Sequence, residues 1–447
     1  MAHRTTRRKF MKTTAAIGAG YWVAGGVSPR ESRAAVDQIN FASIGVGGKG
    51  RSDSTDASRN GNMVAICDVD ENNLNRAVNW APKAEKFSDW RKMLDKLGKS
   101  IDAVTVSTPD HTHGPASVWA MKQGIHCFTQ KPLSHSIEEA RVMGTVAKEM
   151  KVQTMMGNQG TANNGLREAV AIIRGGHLGA IKEVHVFTNR PVWPQGLDRP
   201  AETPSVPESL NWDVWLGPAK ERPYHQAYHP FKWRGWWDFG TGALGDMACH
   251  TLNMPYAGCE LKDPTSVVAE TAGHNGETYP KWSEITFQFP KTDWRGPITL
   301  KWYDGGKKPA DELFDGHKLK RSNSGALVVC EKGTIHSNDD YCGRYEIIGA
   351  EVDKSKIEYE KSPGHFNEWV RAIKGGQPAM SNFPGYAGPL TEVILLGNLA
   401  VWACPEEGVG KKIEWDAQKL EATNAPEVAH IVRKAYRKGF ALHGPEV

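Results

Sequence analysis

The 447-residue sequence has no closely spaced cysteine pair. Its seven cysteines are scattered and none forms a C-x-x-C motif, so neither a zinc site nor a redox dithiol is indicated. A scattered, odd-numbered set is typical of buried thiols, although Cys330 and Cys342 can pair if a hairpin brings them together. The sequence also lacks internal repeats and low-complexity tracts, which argues against a repeat protein.

Long apolar runs are lacking too. The weakly apolar stretch at residues 13–27 is glycine-rich and shorter than the ~20 residues that span a bilayer. It follows the run Thr6-Arg7-Arg8-Lys9-Phe10-Met11-Lys12 and precedes Ser32-Arg33-Ala34-Ala35. This arrangement is typical of a twin-arginine export signal with a small-residue cleavage site. Residues 1–34 are therefore predicted to be a signal peptide rather than a stable membrane span, and the protein is expected to be periplasmic or extracytoplasmic.

The sequence also lacks a large excess of positive or negative charge. The whole chain has a net charge of +4, but residues 1–34 carry seven Lys/Arg and one Glu. The remainder then has 48 basic and 50 acidic residues, a net charge of −2. That balance indicates no nucleic-acid partner.

A glycine-rich loop follows the first apolar run after the signal. Residues 38–44 have strand character and lead directly into Gly45-Val46-Gly47-Gly48-Lys49-Gly50, which satisfies G-x-G-x-x-G at Gly45, Gly47 and Gly50. In a dinucleotide fold these glycines permit a tight turn and the approach of the backbone to a pyrophosphate. A second apolar run ends in Asp68, near the usual ~20-residue spacing for the acid that binds the ribose hydroxyls. Because Asp68 would repel a 2′-phosphate, the pattern favours NAD over NADP.

Strands and helices alternate through the first part of the chain. We predict buried strands at 101–107 and 125–129, helices at 115–123 and 136–150, and a further apolar run at 152–156. This order predicts a doubly wound parallel sheet of the α/β class, with ligands at the carboxyl ends of its strands. From residue 163 onward, many strand candidates with few helices between them predict an α+β domain with a large, mostly antiparallel sheet. The predicted domains are therefore 35–160 and 161–447.

Two predicted loops at the carboxyl ends of strands carry polar groups. They are Thr108-Pro109-Asp110-His111-Thr112-His113 and Gln130-Lys131-Pro132-Leu133. The two histidines of the first loop have a spacing that can begin a metal site on a strand. Their position after Pro109 and before Gly114-Pro115 indicates instead a loop and the start of a helix, so no metal is predicted.

The run from Gly245 to Asn253 is the candidate site of acid–base chemistry. If it is helical, Asp246, His250 and Asn253 share one face. A carboxylate beside an imidazole tunes the histidine as a proton donor and acceptor near neutral pH. The alternative is a surface or capping pair without a chemical role.

Together these motifs resemble the Gfo/Idh/MocA oxidoreductases, which include glucose-fructose oxidoreductase and inositol dehydrogenase. The resemblance extends over most of the chain after about residue 37 and follows the family's order of motifs. It implies that Lys131 lies by the nicotinamide and substrate, and that Asp246 and His250 face the reacting carbon. The predicted cofactor-binding residues are Gly45, Gly47, Gly48, Gly50, Asp68, Pro109, Asp110, His113 and Lys131.

The sequence departs from the family pattern at two positions. Gln130 stands where glutamate is usual, and Asp110 stands where asparagine is frequent. Gln130 resembles a subgroup from environmental and gut bacteria that shares further motifs, which are Gly157-Asn158-Gln159, Asn189-Arg190-Pro191-x-Trp193-Pro194 and the run from Phe231 to Trp237. The neutral amide removes a carboxylate that would pair with Lys131.

Tryptophan is concentrated in the second half, where nine of the 16 lie between Trp193 and Trp302. Aromatic rings with nearby polar groups suit a sugar, whose C–H faces stack on rings. We assign Trp212 and Trp215 to a core or a subunit contact. The predicted substrate-binding residues are Asn158, Arg190, Arg234, Trp236, Trp237 and Asn253.

The sequence thus predicts a carbohydrate-oxidising enzyme that is a homo-oligomer. It is expected to transfer a hydride between a sugar, glycoside or polyol and a tightly bound NAD, with His250 as base, Lys131 polarising the forming carbonyl and Asp246 orienting the pair. The alternative is a redox-neutral, NAD-dependent glycosidase that acts through a 3-keto intermediate. A third hypothesis is an exported sugar-binding protein without catalysis.

Overall fold

The computed structural model describes residues 38–314 and 323–444. The predicted signal peptide at residues 1–34 lies outside the described residues. Two β-sheets organise the described part of the chain, one formed by residues before 157 and the other by residues after 180.

The first sheet has six parallel strands in the order β3-β2-β1-β4-β5-β6. Its strands are β1 Ile39–Ile44, β2 Gly61–Cys67, β3 Glu85–Phe87, β4 Ala103–Val106, β5 His126–Thr129 and β6 Thr154–Met156. The direction of winding reverses between β1 and β4. Ligands of such sheets bind at this switch point, beyond the carboxyl ends of the strands.

Six helices lie between residues 48 and 174. They are α1 Gly48–Asn60, α2 Glu71–Ala77, α3 Trp90–Leu97, α4 Asp110–Lys122, α5 Ile137–Glu149 and α6 Asn164–Arg174. Helix α5 begins with a capping box, in which Ser136 and Glu139 each bind the other's backbone N–H. Helix α4 begins five residues before the predicted residue 115 and contains Pro115. The predicted loop at 110–113 is therefore the first turn of this helix.

The second sheet has ten strands and is mostly antiparallel. The order is β13-β12-β11-β7-β10-β9-β8-β15-β16, with β14 beside β8, and β7 pairs with β10 in parallel. The strands are β7 Ile181–Phe187, β8 Ser266–Ala272, β9 Ser283–Phe289, β10 Ile298–Tyr303, β11 Gly325–Cys330, β12 Thr334–Ser337, β13 Tyr345–Ile348, β14 Glu407–Val409, β15 Ile413–Asp416 and β16 Glu421–Ala422. The predicted fold class, a Rossmann sheet followed by a large antiparallel sheet, is confirmed.

Six further helices lie after residue 200 of the described chain. They are α7 Trp212–Leu216, α8 Gly242–Thr251, α9 Asn253–Cys259, α10 His365–Ile373, α11 Gly388–Trp402 and α12 Ala429–Val432. Helix α11 is almost entirely buried and lies against α8 and β8. Its Asn398 donates to the backbone oxygen of Thr241 over 2.9 Å, which fixes the start of α8.

All seven cysteines lie in the described ranges as buried free thiols, so Cys330 and Cys342 do not pair. Within residues 38–314 and 323–444, no helix is both long and apolar enough to cross a membrane. The same residues contain no group of three or more His, Cys, Asp or Glu side chains that could hold a metal ion.

Candidate active site

The glycine loop between β1 and α1 has the shape that a dinucleotide requires. Gly45 has φ +81°, and a Cβ there would lie 2.5 Å from the backbone oxygen of Ser107. A Cβ on Gly50 would lie 2.1 Å from the backbone oxygen of Gly45. Gly48, with φ +49°, would meet nothing within 4 Å and so faces open space. The loop thus fits a pyrophosphate held at the N-terminus of α1.

Asp68 follows β2, and its carboxylate accepts hydrogen bonds from the backbone of this loop. One carboxylate oxygen accepts hydrogen bonds from the backbone N–H groups of Val46 (2.9 Å) and Gly47 (3.1 Å). The other accepts from the N–H of Asp70 and the side chain of Asn73. Burial raises the pKa of Asp68, against the lowering effect of these four hydrogen bonds. The ribose role predicted for Asp68 therefore stays a prediction, next to a loop-shaping role that the structure shows.

Lys131 and Asp246 meet although they are 115 residues apart. Lys131 Nζ donates to Asp246 Oδ1 over 2.8 Å and to the backbone oxygen of Asp246 over 2.6 Å. The first residue follows β5, and the second lies in α8. Burial alone would raise the pKa of Asp246, but the charges of Lys131 and Arg234 outweigh it and lower that pKa to about 2. Asp246 is therefore ionised across the physiological range.

His250 lies one turn further along α8 and is buried. Burial, and then the charge of Lys131, lower its pKa well below the usual value, so the imidazole is neutral at pH 7. Its Nδ1 is buried and has no hydrogen-bond partner among the described residues. The ring of Tyr341 lies edge-on at 4.7 Å between centroids and covers it. A neutral imidazole can accept a proton from a ligand that reaches one of its ring nitrogens.

Arg190 and Arg234 also form ion pairs with Asp246. Arg234 Nε lies 3.3 Å from Oδ1, and Arg190 Nε lies 4.0 Å from Oδ2. The guanidinium of Arg234 stacks on the rings of Trp233 (4.2 Å) and Phe231 (4.8 Å). Both predicted substrate-binding arginines thus reach the Lys131–Asp246 pair, which makes this cluster strongly cationic.

Asp110 opens α4 and accepts a hydrogen bond from Thr241 Oγ1 over 2.7 Å. Burial raises its pKa to about 7, and the charges of Arg234 and Lys131 act in the opposite direction. Asp110 therefore titrates near neutral pH beside the cluster. Thr241, which precedes α8, links this carboxyl to the helix that carries Asp246.

Gln130, the departure from the family pattern, has a partner on the glycine-loop helix. Its Nε2 donates to Asp53 Oδ2 over 2.8 Å. Asp53 is 2% exposed, pairs with Lys49 and accepts from Ser107 Oγ over 2.8 Å. A neutral amide suits this position because a glutamate would place a second carboxylate against Asp53.

His113 was predicted to bind the cofactor, and the structure corrects this. It is fully buried, and its two ring nitrogens lie 2.8 Å from the backbone oxygens of Pro132 and Thr108. Burial lowers its pKa to about 4, so the ring is neutral and donates to one of the two. His113 supports the loop of Lys131 and has no ring nitrogen left for a ligand. Pro109 is the extended residue directly before α4.

Asn158 and Asn253 are buried and share one pattern. The carbonyl oxygen of Asn158 accepts from Ser381 Oγ, and that of Asn253 accepts from Tyr386 Oη. Their amide Nδ2 atoms have no partner among the described residues. Helix α8 ends at Thr251, so Asn253 begins α9 rather than continuing the predicted helical face.

Trp236 and Trp237 were predicted to stack on a sugar, and the structure corrects this as well. Trp236 is 1% exposed and donates from Nε1 to the backbone oxygen of Ala227. Trp237 is 9% exposed and stacks on Tyr279 at 3.7 Å. Because both rings pack in the core and both indole N–H groups are bonded, neither offers a face to a ligand. Trp212 and Trp215, assigned to a core, stack on each other at 4.6 Å.

Three residues of this cluster were not predicted from the sequence. Tyr341 lies in the loop after β12, Thr241 precedes α8, and Asp53 lies in the middle of α1. Nothing in their spacing connects them with Lys131 or His250, which are 210 and 91 positions from Tyr341 along the chain.

A glycine loop that fits a dinucleotide and a lysine–carboxylate–imidazole cluster define a dinucleotide-dependent oxidoreductase. Residues 39–158 match the profile of an oxidoreductase family with an NAD-binding Rossmann fold, and residues 176–301 match its C-terminal alpha/beta domain. The chain belongs to the Gfo/Idh/MocA oxidoreductase family, and its cofactor is NAD.

Three similar proteins illustrate the family. Levoglucosan dehydrogenase from Pseudarthrobacter phenanthrenivorans is 25% identical over 59% of this chain and 57% of its own length. Alpha-N-acetylgalactosaminidase from Shewanella oneidensis is 26% identical over 40% and 45%. The chain thus spans about half the length of these relatives. The structure of the WlbA dehydrogenase from Bordetella pertussis, in complex with NADH and UDP-GlcNAcA, has a TM-score of 0.60 at 17% identity, over 85% of this chain and 99% of that one.

Proposed function

We propose that this protein is an NAD-dependent dehydrogenase that oxidises a hydroxyl of a sugar, glycoside or other polyol. The observation that carries the proposal is the approach of Lys131 Nζ to Asp246 Oδ1 at 2.8 Å beside the neutral His250. Levoglucosan dehydrogenase, a relative by sequence, supports a carbohydrate substrate.

The three side chains have distinct tasks. His250 accepts the hydroxyl proton, because its imidazole is neutral. Lys131 donates a hydrogen bond to the same oxygen as it becomes a carbonyl oxygen. Asp246 balances the charge of Lys131 and orients its ammonium group. When bound, NAD accepts the hydride that leaves the sugar carbon.

Substitutions of these residues test the assignment. We expect His250→Ala and Lys131→Ala to retain NAD and to lose ~10²- to 10⁴-fold in turnover, the usual cost of removing an acid–base group. Asp246→Asn should fall between these variants and wild type, since its shape is kept and its charge is lost. His177→Ala, at an exposed histidine, is the matched control. Near-normal turnover of His250→Ala would move the reaction to another residue.

A redox-neutral glycosidase is the second candidate, and the relative named as a glycosidase favours it. The two candidates differ in what accumulates when no acceptor is added. The dehydrogenase stops after about one equivalent of oxidised sugar per tightly held cofactor, and a keto-sugar acceptor restarts it. The glycosidase continues to cleave, and its released sugar gains deuterium at C2 in D₂O. We expect the first outcome.

We also propose that Asp68 selects NAD over NADP. Its carboxylate lies beside the glycine loop, where it would repel a 2′-phosphate. Asp68→Ala should weaken NAD binding and reduce the preference for NAD over NADP, measured as the ratio of the two dissociation constants. Asp68→Asn keeps most of the hydrogen bonds to the loop and separates the charge effect from a change in loop shape. Equal affinity of the wild type for both nucleotides would contradict this assignment.

Finally, we propose export through the twin-arginine route and assembly into a homo-oligomer. Replacing Arg7 and Arg8 together by lysine should leave folded enzyme in the cytoplasm, since that route requires the arginine pair. Normal periplasmic accumulation of the variant, measured by cell fractionation, would contradict the export proposal. Sedimentation of the purified enzyme gives its oligomeric state.

A further inference from the structure

Three cationic side chains surround one ionised carboxylate in the active site. Lys131 Nζ lies 2.8 Å, Arg234 Nε 3.3 Å and Arg190 Nε 4.0 Å from the oxygens of Asp246. The charges of Lys131 and Arg234 lower the pKa of Asp246 to about 2, so this carboxylate carries one negative charge. Asp246 neutralises one of the three cations and leaves two.

The other acids near the cluster do not remove this surplus. Burial raises the pKa of Asp110 to about 7, and its carboxyl accepts a hydrogen bond from Thr241 Oγ1 and forms no ion pair with the three cations among the described residues. Asp340 adjoins Tyr341, and no ion pair among the described residues joins it to these three cations. Among the described residues, no second carboxylate forms an ion pair with these three cations, and partly buried charge without a counter-charge is costly, so the site suits an anion.

The two arginines also keep hydrogen-bond donors for a ligand. Arg234 uses Nε on Asp246 and Nη1 on the backbone oxygen of Phe231, and Arg190 uses Nη1 on the side chain of Asn189. Among the described residues, the Nη2 atoms of both arginines have no hydrogen-bond partner. Both side chains are 24% exposed, so they are reachable from solvent yet largely shielded by protein.

We propose that the sugar substrate carries an anionic substituent, the carboxylate of a uronic acid, which binds Arg190 and Arg234. This inference rests on the proposed function and specifies its substrate class. A carboxylate matches the planar fork of a guanidinium and supplies a further counter-charge to the two arginines. The pyrophosphate of the cofactor does not meet this demand, because the glycine loop and α1 supply its site.

Matched pairs of sugars test the proposal on the full, NAD-loaded enzyme. Methyl glucuronide is compared with methyl glucoside, and the galacto and manno pairs are included. We expect a dissociation constant at least tenfold lower for the acid of the preferred pair, measured by calorimetry, and a difference that shrinks with added salt. A 6-sulfated methyl glycoside tests whether any anion suffices. If it binds as tightly as the uronide, the site recognises an anionic substituent in general and not a carboxylate in particular. Equal or tighter binding of the neutral sugars would overturn the proposal.

Turnover on the same pairs separates this inference from the proposed function. Oxidation of the neutral and the acidic sugars at equal rates would leave the dehydrogenase in place and reject the anionic substrate. Tight binding of the uronides without reduction of NAD would reject the dehydrogenase and keep the anion site.

Arg190 is the residue whose variants give the sharpest result. Arg190→Gln should reduce the preference for the uronide over the neutral glycoside by roughly tenfold to a hundredfold, as expected for a lost charged hydrogen bond. Arg190→Lys keeps the charge and should retain part of the preference. Arg199→Gln is the control, because Arg199 is half exposed and pairs with Glu277. An unchanged preference in folded Arg190→Gln would overturn the assignment.

Discussion

Gln130 links the loop of Lys131 to the helix of the dinucleotide site. Its amide Nε2 donates a hydrogen bond to Asp53. The side chain fits only because residue 157 is a glycine, where a Cβ would lie 2.4 Å from Gln130 Nε2. Gln130 and Gly157 therefore belong to one local arrangement. Asp53 supplies the buried carboxylate, so the side chain at position 130 has to be neutral.

A charge exchange tests this arrangement. Gln130→Glu places two carboxylates in contact and should lower the free energy of unfolding by about 1–3 kcal/mol, with weaker NAD binding. Adding Asp53→Asn to that variant restores one carboxylate and one amide, and should recover most of both losses. Gln123→Glu, at an exposed glutamine, is the control. Denaturant unfolding and NAD titration measure the effects, and no recovery in the double variant would refute the pairing.

Asp110 predicts a pH dependence of stability. Burial raises its pKa from 3.8 to about 7 in the folded protein. Its contribution to stability is complete below the unfolded pKa and is lost as the pH rises through about 7. Between pH 5 and pH 8.5 this amounts to a loss of about 3 kcal/mol.

The isosteric variant Asp110→Asn shows whether this carboxyl is responsible. We expect the variant to lack that loss, so its stability relative to wild type should increase from pH 5 to pH 8.5. Urea unfolding at both pH values measures the difference. Parallel pH profiles of the two proteins would show that Asp110 is ionised in the folded state at neutral pH.

At the scale of elements, the loop after β12 brings Tyr341 onto His250. The carboxylate of Asp339 accepts hydrogen bonds from the backbone N–H groups of Tyr341 (2.7 Å) and Gly343 (3.1 Å), which shapes the loop. Gly165, in the first turn of α6, packs closely against the backbone of this loop. A Cβ there would lie 2.5 Å from the backbone oxygen of Gly343.

Gly165→Ala should therefore displace the loop of Tyr341. The contact is with backbone, which cannot rotate away, so we expect a loss of roughly 1–3 kcal/mol in unfolding free energy despite the higher helix propensity of alanine. Turnover should also fall, because the cover of His250 shifts. Gly296→Ala is the control, since a Cβ there meets nothing within 4 Å. A stability gain in Gly165→Ala would contradict the close approach.

At the scale of the whole molecule, the C-terminal segment returns to the Rossmann sheet. Lys434 Nζ pairs with the fully buried Glu139 at 2.8 Å. Further along, the backbone oxygen of Ala441 accepts from Trp119 Nε1, and that of Gly439 accepts from Arg91. The end of the described chain thus ties together α3, α4 and α5, which surround the cofactor-binding sheet.

Removing the charge of Lys434 should lower the free energy of unfolding. Lys434→Met leaves the carboxylate of Glu139 buried without its cation, and we expect a loss of roughly 3 kcal/mol, at the lower end for a broken buried pair because two backbone N–H groups still bind Glu139. Lys438→Met, at an exposed lysine of the same segment, should change little. Thermal unfolding compares the two variants, and equal melting temperatures would show that the pair contributes nothing.

The amino-acid sequence by itself determined the two sheets and the glycine loop, and it singled out Lys131, Asp246 and His250 as the candidate catalytic residues. These features are local: alternating apolar runs define strands, and glycines at fixed spacing permit the loop. The helix that carries Asp246 and His250 was also predictable, because its spacing requires only neighbours in the chain.

Only the tertiary structure decided which side chains are buried and which meet across the chain. Trp236 and His113 looked suited to ligands, but their rings fill the core and support a loop. Tyr341 and Asp53 had no local signal, since they reach His250 and Gln130 through the packing of distant elements. Burial and charge balance depend on every neighbour in space, and for that reason they cannot be read from the order of residues alone.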